Sequence, residues 1–430
     1  KILALDADIV CLQECLPSMF DDLTDVASLK REYVGFHMND HLIHHLDEFL
    51  EEEESSRDSI HPNGIQTTTN SLLGQEEYGN AILLRRSLLS DDIVDLKFVK
   101  SCLFQTIGPQ LSSTASSSVT GKARKRFLTL DCYGFIVMKL RILPRSKTTK
   151  FQETVTPVDI ILIGTHLYWN PCDPHVKALQ AEVLAQVAHI CARGKLPTNI
   201  KGRMNPTENP CLVIIGGDFN SVPIFQPEFI ATTEEVQALT ALCAPTLHIS
   251  IERLPYSFQQ SGVFRLLTHG ILESNHPEHP DTFGRGNSAT SSKKKKMKMC
   301  GPMLADPFVV DSPTGFQMPY AYPNHLFTKA DDLSIPSYED VKIRQNEWPD
   351  LTTKVTEFEG VIDYIFWRFV PNKSISDASS NEKKRNQLLS FHQTEILRLP
   401  TLHGPIPDEI QTSDHLPVGM KFHLSLSFDC

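Results

Sequence analysis

The chain is expected to fold as an α/β protein. Two observations point there: short apolar runs rich in β-branched residues alternate with amphipathic stretches, and polar clusters sit where the apolar runs end. Strands are expected at Ile9–Leu12, Asn80–Leu84, Phe127–Ile142, Asp159–His166, Cys211–Gly216, Gly360–Arg368 and Leu416–Leu424. A helix is expected between Asp173 and Gly194. Asp173 can cap it, Pro174 suits its first position, and Val176, Leu179, Val183 and Val187 fall on one face. Further helices are expected over Gln226–Leu242 and Gly262–His269, and no internal repeat is visible.

The 430 residues are 40% hydrophobic, enough for a large core. The formal net charge of -11 excludes a grip on nucleic acid through bulk charge, so any such grip must be local: metal ions, a few cations and base stacking. Ten cysteines without a CxxC pair or a zinc spacing read as reduced, mostly buried thiols, with Cys11, Cys15, Cys102 and Cys132 in or beside apolar runs. No apolar run reaches the roughly 18 residues that span a bilayer, so no membrane association is expected. The chain opens on Lys1 inside a helix-to-strand pattern and reads as a fragment. A cytoplasmic location is expected, with the nucleus or mitochondrion as alternatives if an upstream signal exists.

Three stretches read as insertions: 51–75, acidic and then Ser/Thr-rich; 111–125, Ser-rich with a basic end; and 287–300, which carries Lys293–Lys296 and Lys298. Motifs belonging to one site lie on both sides of each, so a single domain over 1–430 is expected.

Four polar clusters carry the chemistry. DADIVCLQE ends in Glu14; IILIGTHLYWNP holds His166; LVIIGGDFNSVP holds Asp218 and Asn220; GVIDYIFW and TSDHLPV together hold Asp363, Asp414 and His415. Ligands gather at strand ends in open α/β sheets. Phosphodiester cleavage requires charge neutralised on the non-bridging oxygens, an activated water, and help for the leaving oxygen. Magnesium suits the first task, and Glu14, Asp218 and Asn220 supply the oxygen ligands it prefers. His415 with Asp363 could orient or deprotonate water. Each cluster alone has a plainer reading. Glu14 could be a solvated strand end, His166 a structural histidine, Asp218-Phe-Asn220 an ordinary turn, and Asp414-His415 a chance dipeptide.

Taken in order, LQE, GNAIL, THLYWNP, GGDFNS, IDYIF and SDH resemble the motifs of the exonuclease–endonuclease–phosphatase superfamily over nearly the whole chain. The resemblance implies a deoxyribonuclease-like four-layer α/β sandwich: two mixed β-sheets face to face, flanked by helices. It also implies that the family's first strand, which carries a magnesium-holding Asn, lies before Lys1.

For the site, the resemblance implies that Glu14 is the main magnesium carboxylate, with manganese as an alternative ion. Asp218 engages the metal or the attacking water, and Asn220 and His166 engage the phosphate. His415 is the catalytic histidine, oriented by Asp363, with Asp414 near the metal.

Three stretches, THLYWNP, SGVFRLLTHGIL with HPEHPD, and LTTKVTEFEGVIDYIFW, resemble the branch of carbon-catabolite-repressor-type deadenylases, nocturnin, the Angel proteins and the 2′-phosphodiesterase of oligoadenylates. In that branch Pro171 and Phe358 would flank an adenine, with Asn170 between the aromatic residues and that proline. Tyr168 and Trp169 are expected to pack in the core or at the strand end. The implied activity is a 3′–5′ exoribonuclease that shortens poly(A) and releases 5′-AMP. The alternatives are a 2′,5′-oligoadenylate or nucleotide phosphodiesterase or phosphatase, or a non-catalytic RNA-binding scaffold.

Overall fold

The computed structural model describes residues 2–45, 78–90, 94–111, 122–130, 132–143, 157–171, 173–193, 209–222, 261–272, 276, 278–280, 299–300, 353–354, 359–360, 362–370, 387–396, 413 and 415–428. In chain order the elements begin with β1 (Ile9–Cys15), α1 (Pro17–Asp25), α2 (Ala27–Glu32), β2 (Tyr33–His37), β3 (Gly79–Arg85) and α3 (Arg86–Ser90). They continue with β4 (Val94–Leu103), α4 (Phe104–Leu111), α5 (Lys122–Phe127), β5 (Gly134–Ile142), β6 (Val158–His166), α6 (Pro174–Arg193), β7 (Cys211–Asp218) and α7 (Gly262–His269). Last come β8 (Ile271–Leu272), β9 (Met299–Cys300), β10 (Thr353–Lys354), β11 (Glu359–Gly360), β12 (Asp363–Val370), β13 (Gln387–Ile396) and β14 (Met420–Phe428).

Two sheets lie face to face. The first has the order β1-β3-β2 and is antiparallel in its described strands. The second has the order β12-β7-β6-β5-β4 and is mixed, because β6 and β7 run parallel while the other neighbours run antiparallel. A parallel pair needs a crossover, and α6 lies between β6 and β7 in the chain. Two-stranded ladders join β13 to β14, β10 to β11 and β8 to β9.

Three apolar layers follow from side-chain alternation along the strands. Ile82 and Leu84 of β3 meet Leu96, Ile136, Met138, Leu140 and Leu162 between the sheets. Ala81 and Leu83, on the opposite face of β3, pack with Cys15 and Tyr33 of the neighbouring strands and with Phe20 and Leu29 of the outer α1–α2 layer. Phe135 and Val137 of β5 turn the other way, into the layer formed with α4, α5, α6 and α7. This two-sided burial explains why Ala81–Leu84 of β3 and Phe135–Met138 of β5 read as unbroken apolar runs. Burying one such Ile or Leu contributes about 1.5–3 kcal/mol, more than the roughly 1 kcal/mol net of one ladder hydrogen bond, so packing rather than pairing dominates.

Several elements depart from the sequence expectation. The strand expected from Phe127 starts only at Gly134, because the basic run 122–127 is helical and buries Ala123 and Phe127 in the core. That helix also removes the end of the 111–125 stretch from the insertion, and Leu111 closes α4. Met299 and Cys300, the end of the 287–300 stretch, pair with Leu272 and Ile271. The last expected strand runs over Met420–Phe428, because Leu416 to Gly419 leave the ladder beside the site. Residues 51–75 and the helix expected over 226–242 lie outside the described residues. Cys11, Cys15, Cys102, Cys191 and Cys211 carry reduced thiols at buried or half-buried positions, whereas Cys132 is exposed. Among the described residues, no helix is long and apolar enough to cross a membrane.

Gly217 carries a tight constraint. Its φ is 152°, and a Cβ there would lie 1.9 Å from the carbonyl oxygen of Thr165 on the neighbouring strand. Gly217→Ala is expected to cost more than about 2 kcal/mol, read as a lower urea midpoint at unchanged slope. An unchanged midpoint would contradict the close β6–β7 approach.

Candidate active site

Strand register assembles the site. His166 is the last residue of β6 and Asp218 the last of β7, and the parallel pairing aligns them. Asp363 opens β12 and is aligned with Asp218 by the antiparallel pairing. Neighbouring strands lie about 4.8 Å apart, and register partners project to the same side. The two pairings therefore line up an imidazole and two carboxylates along one sheet edge, with Asp218 in the middle.

His415 reaches this row from a distant segment through an isolated antiparallel bridge with Thr353. Its Nδ1 lies 2.8 Å from Asp363 Oδ2, and its Nε2 lies 3.8 Å from Asp218 Oδ2. Its backbone N–H donates to Ser413 Oγ at 3.2 Å. Asp363 thus fixes the ring and leaves Nε2 facing Asp218.

Glu14 enters from the other sheet. The β1–β3 register slips between Leu12 and Cys15, placing an extra residue in β1, and Glu14 has φ 51°. Such a bulge re-aims a side chain, and left-handed backbone in a non-glycine residue is concentrated at functional positions. Glu14 Oε1 comes to 3.9 Å from His166 Nε2, which is also 3.6 Å from Asp218 Oδ2. Both carboxylates therefore face one small volume.

Asn220 follows β7 with φ 46°, a conformation Asn tolerates better than most residues. Its backbone N–H donates to Asp218 Oδ1 at 2.7 Å, which leaves Oδ2 for the site. Its amide Nδ2 donates to His166 Nε2 at 2.9 Å and to the Leu167 carbonyl at 3.0 Å.

Burial, reinforced by the charge of Asp363, drives the Asp218 carboxyl well above the usual carboxylate range. His415, the Asn220 N–H and Lys177 oppose that shift. Burial, helped by His415, lowers His166 to about 4, so its ring is neutral near pH 7 and accepts from Asn220 at Nε2. A buried carboxyl that resists losing its proton is a group whose anionic form calls for a cation. Asp218, Asp363 and His415 offer ligand atoms within 4.8 Å of one another. The Asp363–His415 contact is a hydrogen bond, so those two hold each other. A hard cation that needs oxygen ligands and keeps several waters suits Asp218 together with the largely exposed Glu14.

Of the other expected site residues, Pro171 is exposed in the turn after β6. The Asn170 amide donates to Asp173 Oδ2 at 3.0 Å and so braces the turn into α6. Asp414 and Phe358 lie outside the described residues. Tyr168 is buried as expected, but Trp169 is not packed away: it is 60% exposed. The loop turns at that point, so alternation sends Tyr168 inward and its neighbour out.

Sequence reasoning missed a buried support behind Asn220. Lys177, on α6, donates its ammonium to the Asn220 carbonyl. Ser221 Oγ donates to Ser261 Oγ at 3.2 Å, and Ser261 caps α7 by accepting from Phe264 N. Glu278, within HPEHPD, accepts from Gly262 N at 2.5 Å and is raised to about 7 by burial. The available signal was Lys177 lying next to Val176 on the face expected to be apolar. Its partner, a backbone carbonyl 43 residues later, leaves no trace in composition.

No protein-family model and no curated protein matches the chain. Among solved structures it is similar to ANGEL2, a 2′,3′-cyclic phosphatase, at 15% identity over 98% of this chain and 82% of that one, with a TM-score of 0.42. The complex of ANGEL2 with adenosine-2′,3′-vanadate gives 15% identity, 98% and 83% coverage and a TM-score of 0.41. Truncated Caenorhabditis elegans TDP2 gives 13% identity, 54% coverage of each chain and a TM-score of 0.25. Identities this low leave the chemistry to be read from the site itself.

Glu278 gives a pH test of the support. Folded, its carboxyl keeps a proton up to about pH 7; its ordinary value is 4.5. Between those values the folded chain binds more protons, so stability falls as pH rises. Glu278→Gln keeps an acceptor for Gly262 without the charge. It is expected to flatten this fall by on the order of 2 kcal/mol between pH 5 and 8, read from urea titrations. Parallel pH curves for parent and variant would contradict the burial of this carboxyl.

Proposed function

We propose that the chain is a divalent-metal-dependent phosphodiester hydrolase of the exonuclease–endonuclease–phosphatase superfamily. Its proposed substrate is RNA, which it shortens from the 3′ end, releasing nucleoside 5′-monophosphates and 5′-AMP from adenine ends. The observation that carries this reading is His415 held by Asp363 with its other ring nitrogen turned to Asp218.

The gap of 3.8 Å between His415 Nε2 and Asp218 Oδ2 is too long for a direct hydrogen bond. It suits a water held by both groups. Asp363 accepts the Nδ1–H of His415, so the Nε2 lone pair faces the water. As the water oxygen bonds to phosphorus, its proton passes to this base, and the imidazolium is stabilised by the carboxylate behind it. The bond from phosphorus to the 3′ oxygen of the preceding nucleotide breaks, and that oxygen takes up a proton.

Asn220 and His166, paired at 2.9 Å, are assigned to the non-bridging oxygens, with the Asn220 amide exchanging its donor bond to His166 for one to the phosphate. A divalent cation held by Glu14 and Asp218 would neutralise charge on the phosphate and on the departing oxygen. Pro171, exposed beside the site, is assigned to one face of the terminal base, and Phe358 to the other.

His415→Ala and Asp218→Ala are each expected to lower the rate at least about a hundredfold on 5′-labelled RNA with magnesium. An unchanged rate in either variant would remove the role assigned to it. With RNAs ending in A, C or U, a ladder on the A-ended strand alone supports poly(A) shortening. Binding of all three without any ladder would instead support a scaffold.

A further inference from the structure

Resting on the RNA reading above, we infer that Trp169 and the basic face of α5, carrying Lys125 and Arg126, form a platform for single-stranded RNA beside the cleavage site. On this platform the indole stacks a base and the cations hold backbone phosphates.

Continuity with the site comes from a run of ring contacts. Tyr133 lies edge-on to His166 at 5.6 Å and edge-on to Tyr168 at 5.4 Å. Tyr168 in turn lies 6.1 Å from Trp169. Two residues separate the indole from His166 along the chain, and this packed ladder fixes the direction in which it emerges. The indole is 60% exposed, the highest exposure among the large hydrophobic side chains described. A lone exposed aromatic needs no function; this one adjoins Tyr168, whose ring carries the Arg126 guanidinium.

The Arg126 guanidinium lies over the Tyr168 ring at 5.5 Å, donates to Tyr168 Oη at 2.5 Å and approaches Asp173 Oδ2 at 3.8 Å. Those contacts engage only part of a five-donor fork, and half of the side chain is exposed. Its placement is therefore rigid while N–H groups remain open to solvent. Lys125 precedes it, also exposed, and Arg124 belongs to the same turn. In a chain of net charge -11, cations concentrated on one short helix that docks on the catalytic loop supply the local grip that bulk charge withholds. Aromatic stacking combined with backbone-tracking cations is how proteins hold single strands without reading sequence.

The test is binding in EDTA, which separates it from hydrolysis. A ten-nucleotide oligoadenylate is titrated into the whole chain, and anisotropy and tryptophan fluorescence are followed. Quenching that disappears in Trp169→Phe, with affinity at least about tenfold weaker in Trp169→Ala, is expected. Lys125→Ala should flatten the slope of log affinity against log salt by about 0.7. Thermal melting checks that each variant is folded. Parental affinity in Trp169→Ala, or an unchanged salt slope in Lys125→Ala, overturns the platform even if the chain cleaves RNA. Loss of affinity in a chain that cleaves nothing would support the platform and count against the catalytic reading.

Discussion

The site depends on β7 being paired on both sides at once. Its parallel register with β6 and antiparallel register with β12 put His166, Asp218 and Asp363 level at one sheet edge. Every other functional group is placed relative to that row. A slip of one residue in either pairing would turn one of these side chains to the opposite face. The register is protected by two-sided burial, since Ile215, Phe366 and Tyr364 sit in the helix-side core while Leu162 fills the space between the sheets. Gly217 permits the close approach that the row requires.

This geometry has an electrostatic consequence. Two buried carboxylates lie side by side, and the charge of Asp363 adds to burial in opposing the ionisation of Asp218. The fold offsets this with a directed N–H from Asn220, the imidazole of His415 and the more distant ammonium of Lys177. Those contacts leave negative charge in excess, and the exposed carboxylate of Glu14 adds to it. This excess of negative charge is what the proposed hydrated divalent cation would balance. The line from Lys177 through Asn220 and Ser221 to Ser261 and Glu278 keeps the left-handed Asn220 backbone in place from behind.

Much of this was legible in the sequence, for physical reasons. Strands buried on both faces leave continuous apolar runs, so β3, β6 and β7 were readable within a residue or two at most ends. The helix expected over Gly262–His269 has those bounds in α7, where Ser261 caps its start and left-handed Gly270 ends it. Glu14, His166, Asp218, Asn220, Asp363 and His415 stood out because polar residues interrupt apolar strands at their ends. The bulge that aims Glu14 was not legible, because an extra residue in one strand appears only once its partner is known. Tyr33–His37 was missed because its five residues mix a glycine and a histidine with apolar side chains. The helix over 122–127 was hidden by its charge, since only Ala123 and Phe127 face the core. Trp169 was misread for a related reason: an aromatic beside an apolar strand usually packs, and its outward turn depends on the loop.

The central claim is that carboxylates from two different sheets meet at one cation. Manganese soaked into crystals and located by its anomalous scattering tests this most directly. The account predicts one strong peak with oxygens of Glu14 and Asp218 at about 2.2 Å, and with His415 close by but still bonded to Asp363. A peak elsewhere, or Glu14 turned away from Asp218 in the loaded crystal, would contradict it.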